Sequence, residues 1–299
     1  MLMISTNADF IFFMSSSGHC SLDCNYCIIN PIVKHQPSLS ITDINYLLDT
    51  VGGKSALMFS GKGDFFAGYR KGENLLSNLL ERDVDVALDI NGVFIQEFQT
   101  ISDAKIEKIK HINLTMHYTQ LLKKNALLVW EKNAKLLIDR QRWDSFFMNT
   151  IMSPNEADFW DEALSFYDER VFKETGQPII LIRDVLNWKS SFESRLDLLR
   201  NKFHYLVTET RHVDFSKMFD DGIDVLCPAG KEYFRVWNDG SIEGCPYVGV
   251  LSNCGNAKER TFTPRENLFR CNHPRYCDCS HIKRLGKMRD CNSELLEIL

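Results

Sequence analysis

Three cysteines fall within eight residues, in the run Cys20-Ser-Leu-Asp-Cys24-Asn-Tyr-Cys27. The spacing is C-x3-C-x2-C, which puts three thiols on one short loop. The chain has ten cysteines in 299 residues, none of them between Ile28 and Leu226, and seven follow from Cys227 to Cys291. Cysteines kept for packing scatter along a chain, and disulfides do not persist in a reducing compartment, so two tight groups read as metal sites. Thiolates are soft ligands that suit iron–sulfur clusters and zinc. Three of them hold three corners of a four-iron cube and leave the fourth iron open to a substrate or cofactor. The competing reading is a structural zinc site, with His19 or His35 as the fourth ligand.

The residues around the loop carry a resemblance. An aromatic residue, Tyr26, precedes the last cysteine, and an apolar run, Phe10–Ser15, precedes the loop as a buried first strand. This resembles the signature of the radical S-adenosylmethionine (SAM) superfamily. The resemblance implies an α/β fold, a partial (β/α)6 TIM-like barrel with a small C-terminal cysteine-rich α+β appendage. It also implies an active site at the C-terminal ends of the strands, as barrels arrange it.

The elements that must position such a loop are legible as short apolar runs alternating with helical patterns. Strands are predicted at Phe10–Ser15, Ala56–Phe59, Val84–Ile90, Ile112–Met116, Phe146–Ile151 and Ile179–Ile182. Helices are predicted at Ile41–Val51, Asn74–Arg82, Asp103–Lys110, Leu121–Asp139, Glu156–Lys173 and Phe192–Lys202, the first capped by Ser40 or Thr42. The expected division is a barrel over residues 1–203 and an appendage over 204–299.

Several strand ends carry polar or glycine residues. The second strand ends Phe59-Ser60-Gly61-Lys62-Gly63-Asp64. By resemblance, Ser60, Gly61, Gly63 and Asp64 stand where a Gly-Gly-Glu-type segment meets the SAM amino group, although Lys62 splits the glycines and Asp64 replaces the usual Glu. Asn91, in Asp89-Ile90-Asn91-Gly92, parallels the family's Thr-Asn-Gly ending, or is an ordinary Asn-Gly turn. Thr115 stands near the position of the SAM ribose, and Asn149 and Arg183 are placed to meet SAM or substrate. Arg183 would pair with a carboxylate, or form a surface salt bridge. His117 is read as structural or substrate-facing. Phe65, Phe66 and Trp188 are read as core packing or pocket lining.

The tail reads Cys227-x12-Gly240-x4-Cys245, with a strand over Glu232–Trp237 and a turn at Asn238-Asp239-Gly240. This resembles the SPASM/twitch appendage of radical SAM enzymes, in which the two cysteines ligate an auxiliary four-iron cluster. The remaining ligands would come from Cys271, Cys277 and Cys279. The late pattern Cys271-x5-Cys277 departs from the full SPASM pattern, so one auxiliary cluster is expected rather than two. Cys254 and Cys291 are left over, as inert thiols or as hydrogen-atom donors to a product radical. A structural zinc knuckle is the competing reading of the whole tail.

The resemblance implies reductive cleavage of SAM and hydrogen-atom abstraction from a C–H bond, with an outcome of dehydrogenation or epimerisation. A flavodoxin- or ferredoxin-type protein would supply the electron. Two substrate classes compete, a sugar or aminocyclitol-type small molecule and a ribosomally made peptide. The 19 residues before Cys20 leave no room for a leader-binding domain, which favours the small molecule. A non-catalytic iron–sulfur or zinc protein is the reading of another class. The net charge of −5 argues against a nucleic-acid partner. No apolar run of about 18 residues exists, and no basic segment precedes Phe10–Met14, so no membrane partner is expected and the chain is placed in the cytoplasm.

Overall fold

The structure is a computed structural model that describes residues 8–15, 19–27, 39–60, 63–68, 74–141, 145–184, 188–211, 225–244, 253–271 and 289–290. Runs rich in Val, Ile, Leu and Phe form six strands, β1 (Phe10–Ser15), β2 (Ser55–Ser60), β3 (Val84–Ile90), β4 (Ile109–Met116), β5 (Ser145–Met152) and β6 (Ile179–Arg183), and a polar run forms β7 (Val207–Arg211). They pair parallel in chain order, β1 beside β2 and so on to β7. Largely apolar runs suit parallel strands, whose crossover helices cover a face of the sheet. Each predicted strand is present, and β7 lies beyond them. The protein is thus an α/β structure around a mostly parallel sheet.

Strand order without reversal has a consequence for the helices. Right-handed crossovers that always step the same way deliver each connecting helix to the same face. The two faces differ accordingly. Phe12, Met14, Leu57, Phe59, Val86, Leu88, Ile112, Leu114, Met148 and Leu181 belong to one continuous apolar core. The alternate positions, among them Met58, Ser60, Asp89, Asn113, Thr115 and Phe147, face the other way and are half-buried. A strand turns successive side chains to opposite faces, so these residues share one surface.

The helices depart from expectation at defined places. Ile41–Val51 forms as predicted, with Ser40 as N-cap in a capping box with Asp43 and Gly52 closing it in the left-handed region (φ 67°). The predicted helix Leu121–Asp139 is two, Tyr118–Lys123 and Leu127–Asp139, broken at Asn125 (φ 52°). The predicted Glu156–Lys173 begins with a 3-10 turn (Pro154–Phe159), runs as an α-helix (Trp160–Tyr167) and widens into a π segment (Asp168–Phe172). Residues predicted as the end of Asp103–Lys110 instead begin β4.

Past residue 203 the same sheet continues. β7 extends one edge, and at the other edge β9 (Tyr233–Val236) pairs parallel with β1. β10 (Ser241–Glu243) and β11 (Asn253–Asn256) follow antiparallel, making ten strands in all. The expected boundary between residues 203 and 204 is therefore crossed by one shared sheet. Phe234 stacks on Phe12 at 5.2 Å and meets Phe262 edge-on at 4.9 Å, so the core is shared as well. The predicted hairpin turn is present: Trp237 N–H donates to Ser241 O (2.9 Å), and Gly240 has φ 94°. A second, three-stranded sheet pairs β8 (Val225–Cys227) with β12 (Phe269–Cys271) and β13 (Arg289–Asp290).

Candidate metal centre

The cysteine loop follows the C-terminal end of β1 and is tied down by the ends of β2, β3 and β4. Asp64 N–H donates to His19 O (2.7 Å). Gly63 makes this approach possible: it has φ 92°, and a Cβ there would lie 2.3 Å from the His19 carbonyl oxygen. The Asp64 carboxylate points inward, accepting from Asn91 N (2.6 Å) and Phe66 N (3.1 Å). Asn91 in turn donates from Nδ2 to Ser21 Oγ (3.1 Å) and Cys20 Sγ (3.4 Å), and its Oδ1 accepts from Val93 N (3.0 Å). Leu22 N also donates to Cys20 Sγ (3.4 Å). The resemblance places Ser60, Gly61, Gly63 and Asp64 at the SAM amino group, and Asn91 at the family's Thr-Asn-Gly ending or in an ordinary turn. In the fold, Gly63, Asp64 and Asn91 hold the cysteine loop in place, and Gly61 lies outside the described residues.

From β4, His117 reaches the other side of the loop. Tyr26 lies against its ring (centroids 5.8 Å, 20° between planes), with the hydroxyl 2.8 Å from Nδ1. Cys24 Sγ is 3.5 Å from the same nitrogen. Burial pushes the His117 imidazole down to about 4, so it is neutral, and burial raises the Tyr26 hydroxyl. A protonated hydroxyl and a neutral ring share one hydrogen bond at Nδ1, and the same hydroxyl also faces Cys24 Sγ.

The thiols themselves are differently placed. Cys24 is buried, whereas Cys20 and Cys27 reach solvent. Burial pushes the Cys24 thiol up to about 12, with the Tyr26 hydrogen bond opposing and the charges of Cys20, Cys27 and Glu156 adding to the rise. The part-buried Cys20 sulfur is raised by desolvation first, then by Asp64 and Cys27, against the bonds from Leu22 and Asn91. Three thiols that disfavour one another's charge need a cation to become thiolates together, and iron or zinc would supply it. Among the described residues, no three Cys, His, Asp or Glu side chains stand close enough to clasp a single ion. A cube, which gives each thiolate its own iron, spaces its ligands more widely. The donor set and the N–H groups aimed at Cys20 Sγ fit such a cluster.

The other expected residues divide. Thr115 and Asn149 lie on the half-open face of the sheet, adjacent in register. Arg183 is partly engaged: Nη2 donates to Glu193 Oε2 (2.8 Å) and its guanidinium lies 5.5 Å from the centre of the Trp188 ring, while its buried Nε has no hydrogen-bond partner among the described residues. Trp188 stacks on Trp160 at 5.9 Å, and Phe65 packs on Phe59 at 4.7 Å, so these rings are packing groups, as is Phe66 against Phe98. Ser60 donates from Oγ to Asp89. Asn149 donates from Nδ2 to Asn113 Oδ1. Asp89 and Asn113 were not singled out from the sequence. Their signal was present as alternate polar positions, Asp85 and Asp89 in β3, His111, Asn113 and Thr115 in β4.

In the tail, Cys227 is buried, and β12 runs antiparallel to β8 with Cys271 opposite Val225. Gly244 packs so closely on the turn after Cys227 that a Cβ would lie 2.6 Å from Gly230 N. Cys245, Cys277, Cys279 and Cys291 lie outside the described residues. Cys254 belongs to the packed core with Phe234, Val236 and Phe262, on the face away from Asn113 and Asp89. Burial raises its thiol, opposed by the nearby Arg265.

No protein-family model matches the chain, and no curated protein matches its sequence. Among the described residues, no helix is long and apolar enough to cross a membrane.

Proposed function

We propose that the chain is a radical SAM enzyme that abstracts a hydrogen atom from a C–H bond of a small molecule, of the sugar or aminocyclitol type. The observation that carries this reading is the three-thiol loop after β1, pinned by Gly63, Asp64 and Asn91 from the ends of β2 and β3. The unreversed order of β1 to β6 is what a partial barrel needs, with the loop at the strands' C-terminal ends.

Cys20, Cys24 and Cys27 would hold a four-iron cluster. When bound, that cluster supplies the electron that breaks the SAM sulfonium, giving methionine and a 5′-deoxyadenosyl radical. The chain's part is to bind, orient and exclude water. Buried Tyr26 and half-buried His117 shield the Cys24 side of the loop. Thr115 and Asn149 are the expected SAM contacts that remain turned to the half-open face. Asp64 is engaged within the fold, so its carboxylate does not offer itself to SAM in this arrangement, whereas Arg183 keeps a buried Nε without a partner among the described residues. Cys254, in the packed core, is not placed to quench a radical on the opposite face. An auxiliary cluster held by Cys227 and other thiols of the tail belongs to the same reading, as does a flavodoxin-type donor in the cytoplasm.

The test is anaerobic reconstitution of the chain and of a variant with Cys20, Cys24 and Cys27 changed to Ala. The wild type should form 5′-deoxyadenosine from SAM and dithionite, and the variant should form none. About four irons retained by the variant would place one auxiliary cluster in the tail. Zinc in place of iron at the N-terminal loop, with no 5′-deoxyadenosine, would sink the reading.

A further inference from the structure

The corner between the two helices after β4, Tyr118–Lys123 and Leu127–Asp139, presents apolar side chains to solvent among lysines. Leu122, Leu128 and Val129 are 41%, 67% and 48% exposed. Lys132 stands one turn after Leu128 and Val129 on the outward side of their helix, and Lys123 and Lys124 close the other helix, all three exposed. The run from Tyr118 to Lys132 holds a single carboxylate, Glu131. That one is buried and bonded to Lys135 (2.9 Å) and Arg170 (3.0 Å), so it does not offset these lysines. A basic patch with an apolar centre is thus set into a chain whose net charge is −5. A single exposed leucine needs no explanation, but three large apolar residues together, rimmed by like charge, mark a contact surface. The patch lies against the cysteine loop. Lys124 Nζ bonds Asp23 Oδ2 (3.1 Å), next to Cys24. At the other end of the same helix, His117 Nδ1 is 3.5 Å from Cys24 Sγ. The helix between has six residues, a length of about 9 Å.

We infer that this corner is where the electron donor docks, and that the donor's contact face is acidic around an apolar centre. The inference rests on the proposed radical SAM reading, which requires an electron at the cysteine loop but gives it no point of entry. The step is a single electron transfer: the donor is oxidised by one electron, the cluster that Cys20, Cys24 and Cys27 would hold is reduced by one, and no bond forms or breaks. A donor seated on the corner has one six-residue helix between itself and Cys24, so the path is short. Electron-transfer encounters are small and short-lived, and a few exposed apolar residues within a charged rim suffice for one. Lys123, Lys124 and Lys132 would steer an acidic face toward the corner, and Leu128 with Val129 would seat it. A nucleic acid fits the patch poorly, since Leu122, Leu128 and Val129 give its bases no ring to stack on.

The reconstituted full-length chain is titrated calorimetrically with an acidic bacterial flavodoxin at low and at high salt. The Lys123→Glu/Lys132→Glu variant should bind at least about tenfold more weakly than the wild type at low salt, and the gap should close at high salt as the charges are screened. Leu128→Ser should weaken binding about fivefold at both salt concentrations, because apolar contact is not screened. Lys110→Glu, at the other end of β4, should change it less than about twofold. All three variants should form 5′-deoxyadenosine with dithionite at the wild-type rate, since dithionite needs no docking surface. No flavodoxin binding by the wild type overturns the surface. So does an equal loss in Lys110→Glu, which would be an effect of bulk charge. A wild-type dimer in sedimentation that Lys123→Glu/Lys132→Glu dissociates also overturns it, because the corner then seats a second copy of the chain. Binding is read without turnover. Failure of dithionite to yield 5′-deoxyadenosine therefore counts against the enzyme reading, and failure of the variants to lose flavodoxin counts against this one.

Discussion

Asn91 Nδ2 donates to Cys20 Sγ at 3.4 Å, joining the end of β3 to the cysteine loop across 71 residues of sequence. An N–H group aimed at a ligating sulfur stabilises the more negative state of a cluster and so raises its reduction potential. The Asn91→Ala variant should keep its iron, because the three thiols remain, and lose part of that stabilisation. The expected outcome is a lower midpoint potential, by about 60 mV or less, the equivalent of a tenfold change for a one-electron couple. A redox titration followed by electron paramagnetic resonance measures it. An unchanged midpoint would show that Asn91 serves only to anchor Ser21.

Asp64 is the joint between the same segments, and its burial makes it pH-sensitive. Desolvation raises its carboxyl from 3.8 to about 6, against the backbone bonds from Asn91, Phe66 and Ala67. Between about pH 4 and pH 6 the folded chain holds a proton that the unfolded chain has released, so this group's contribution to stability falls as pH rises. The full difference is about 3 kcal/mol, present below pH 4 and lost above pH 6. Asp64→Asn removes the titration at the expense of about one backbone hydrogen bond, on the order of 1 kcal/mol. Urea unfolding at pH 4.5 and 7.5 should therefore show the variant gaining on the wild type as pH rises. Parallel pH profiles for the two proteins would contradict the burial argument.

The sequence shows the frame more clearly than the fittings. The bounds of β1 and β3 follow directly from apolar runs ended by polar residues, while the sequence offers both Ser40 and Thr42 as N-cap and the capping box with Asp43 decides for Ser40. β7 was hidden because only its first residue, Val207, is apolar, with Thr-Glu-Thr-Arg following, as an edge strand permits. The break at Asn125 was hidden because Leu121–Asp139 keeps its apolar period across it, and only the left-handed φ of Asn125 ends the first helix. At the site, three cysteines on one loop announce themselves by spacing. That Asp64 and Asn91 bind the loop instead of facing outward depends on long-range contact, which spacing does not encode. Asp89 and Asn113 were masked for another reason: in a strand covered on one face and half-open on the other, a polar alternate residue looks like ordinary solvent exposure.

Tyr26 and His117 form a pair whose value can be isolated. They approach from sequence positions 91 apart, share one hydrogen bond of 2.8 Å and stack their rings at 5.8 Å. Tyr26→Phe removes only the hydroxyl, leaving the stack intact and the Nδ1 hydrogen bond unmade. The expected cost is about 1–3 kcal/mol, the penalty of an unmet buried group rather than of one bond. His117→Leu removes the hydroxyl's partner, and with Tyr26→Phe already present the second change should cost much less than it does alone. A double-mutant cycle in urea should give a coupling of about 1–2 kcal/mol. The pair also carries a pH signature. His117 is pushed from 6.5 down to about 4 by burial, so the unfolded chain takes up a proton before the folded one, and stability falls as pH drops from about 6.5 toward 4. His117→Leu should flatten that limb, which runs opposite in sign to the Asp64 effect over an overlapping range. Additive costs in the cycle, together with an unaltered acid limb in His117→Leu, would mean that the two rings merely pack.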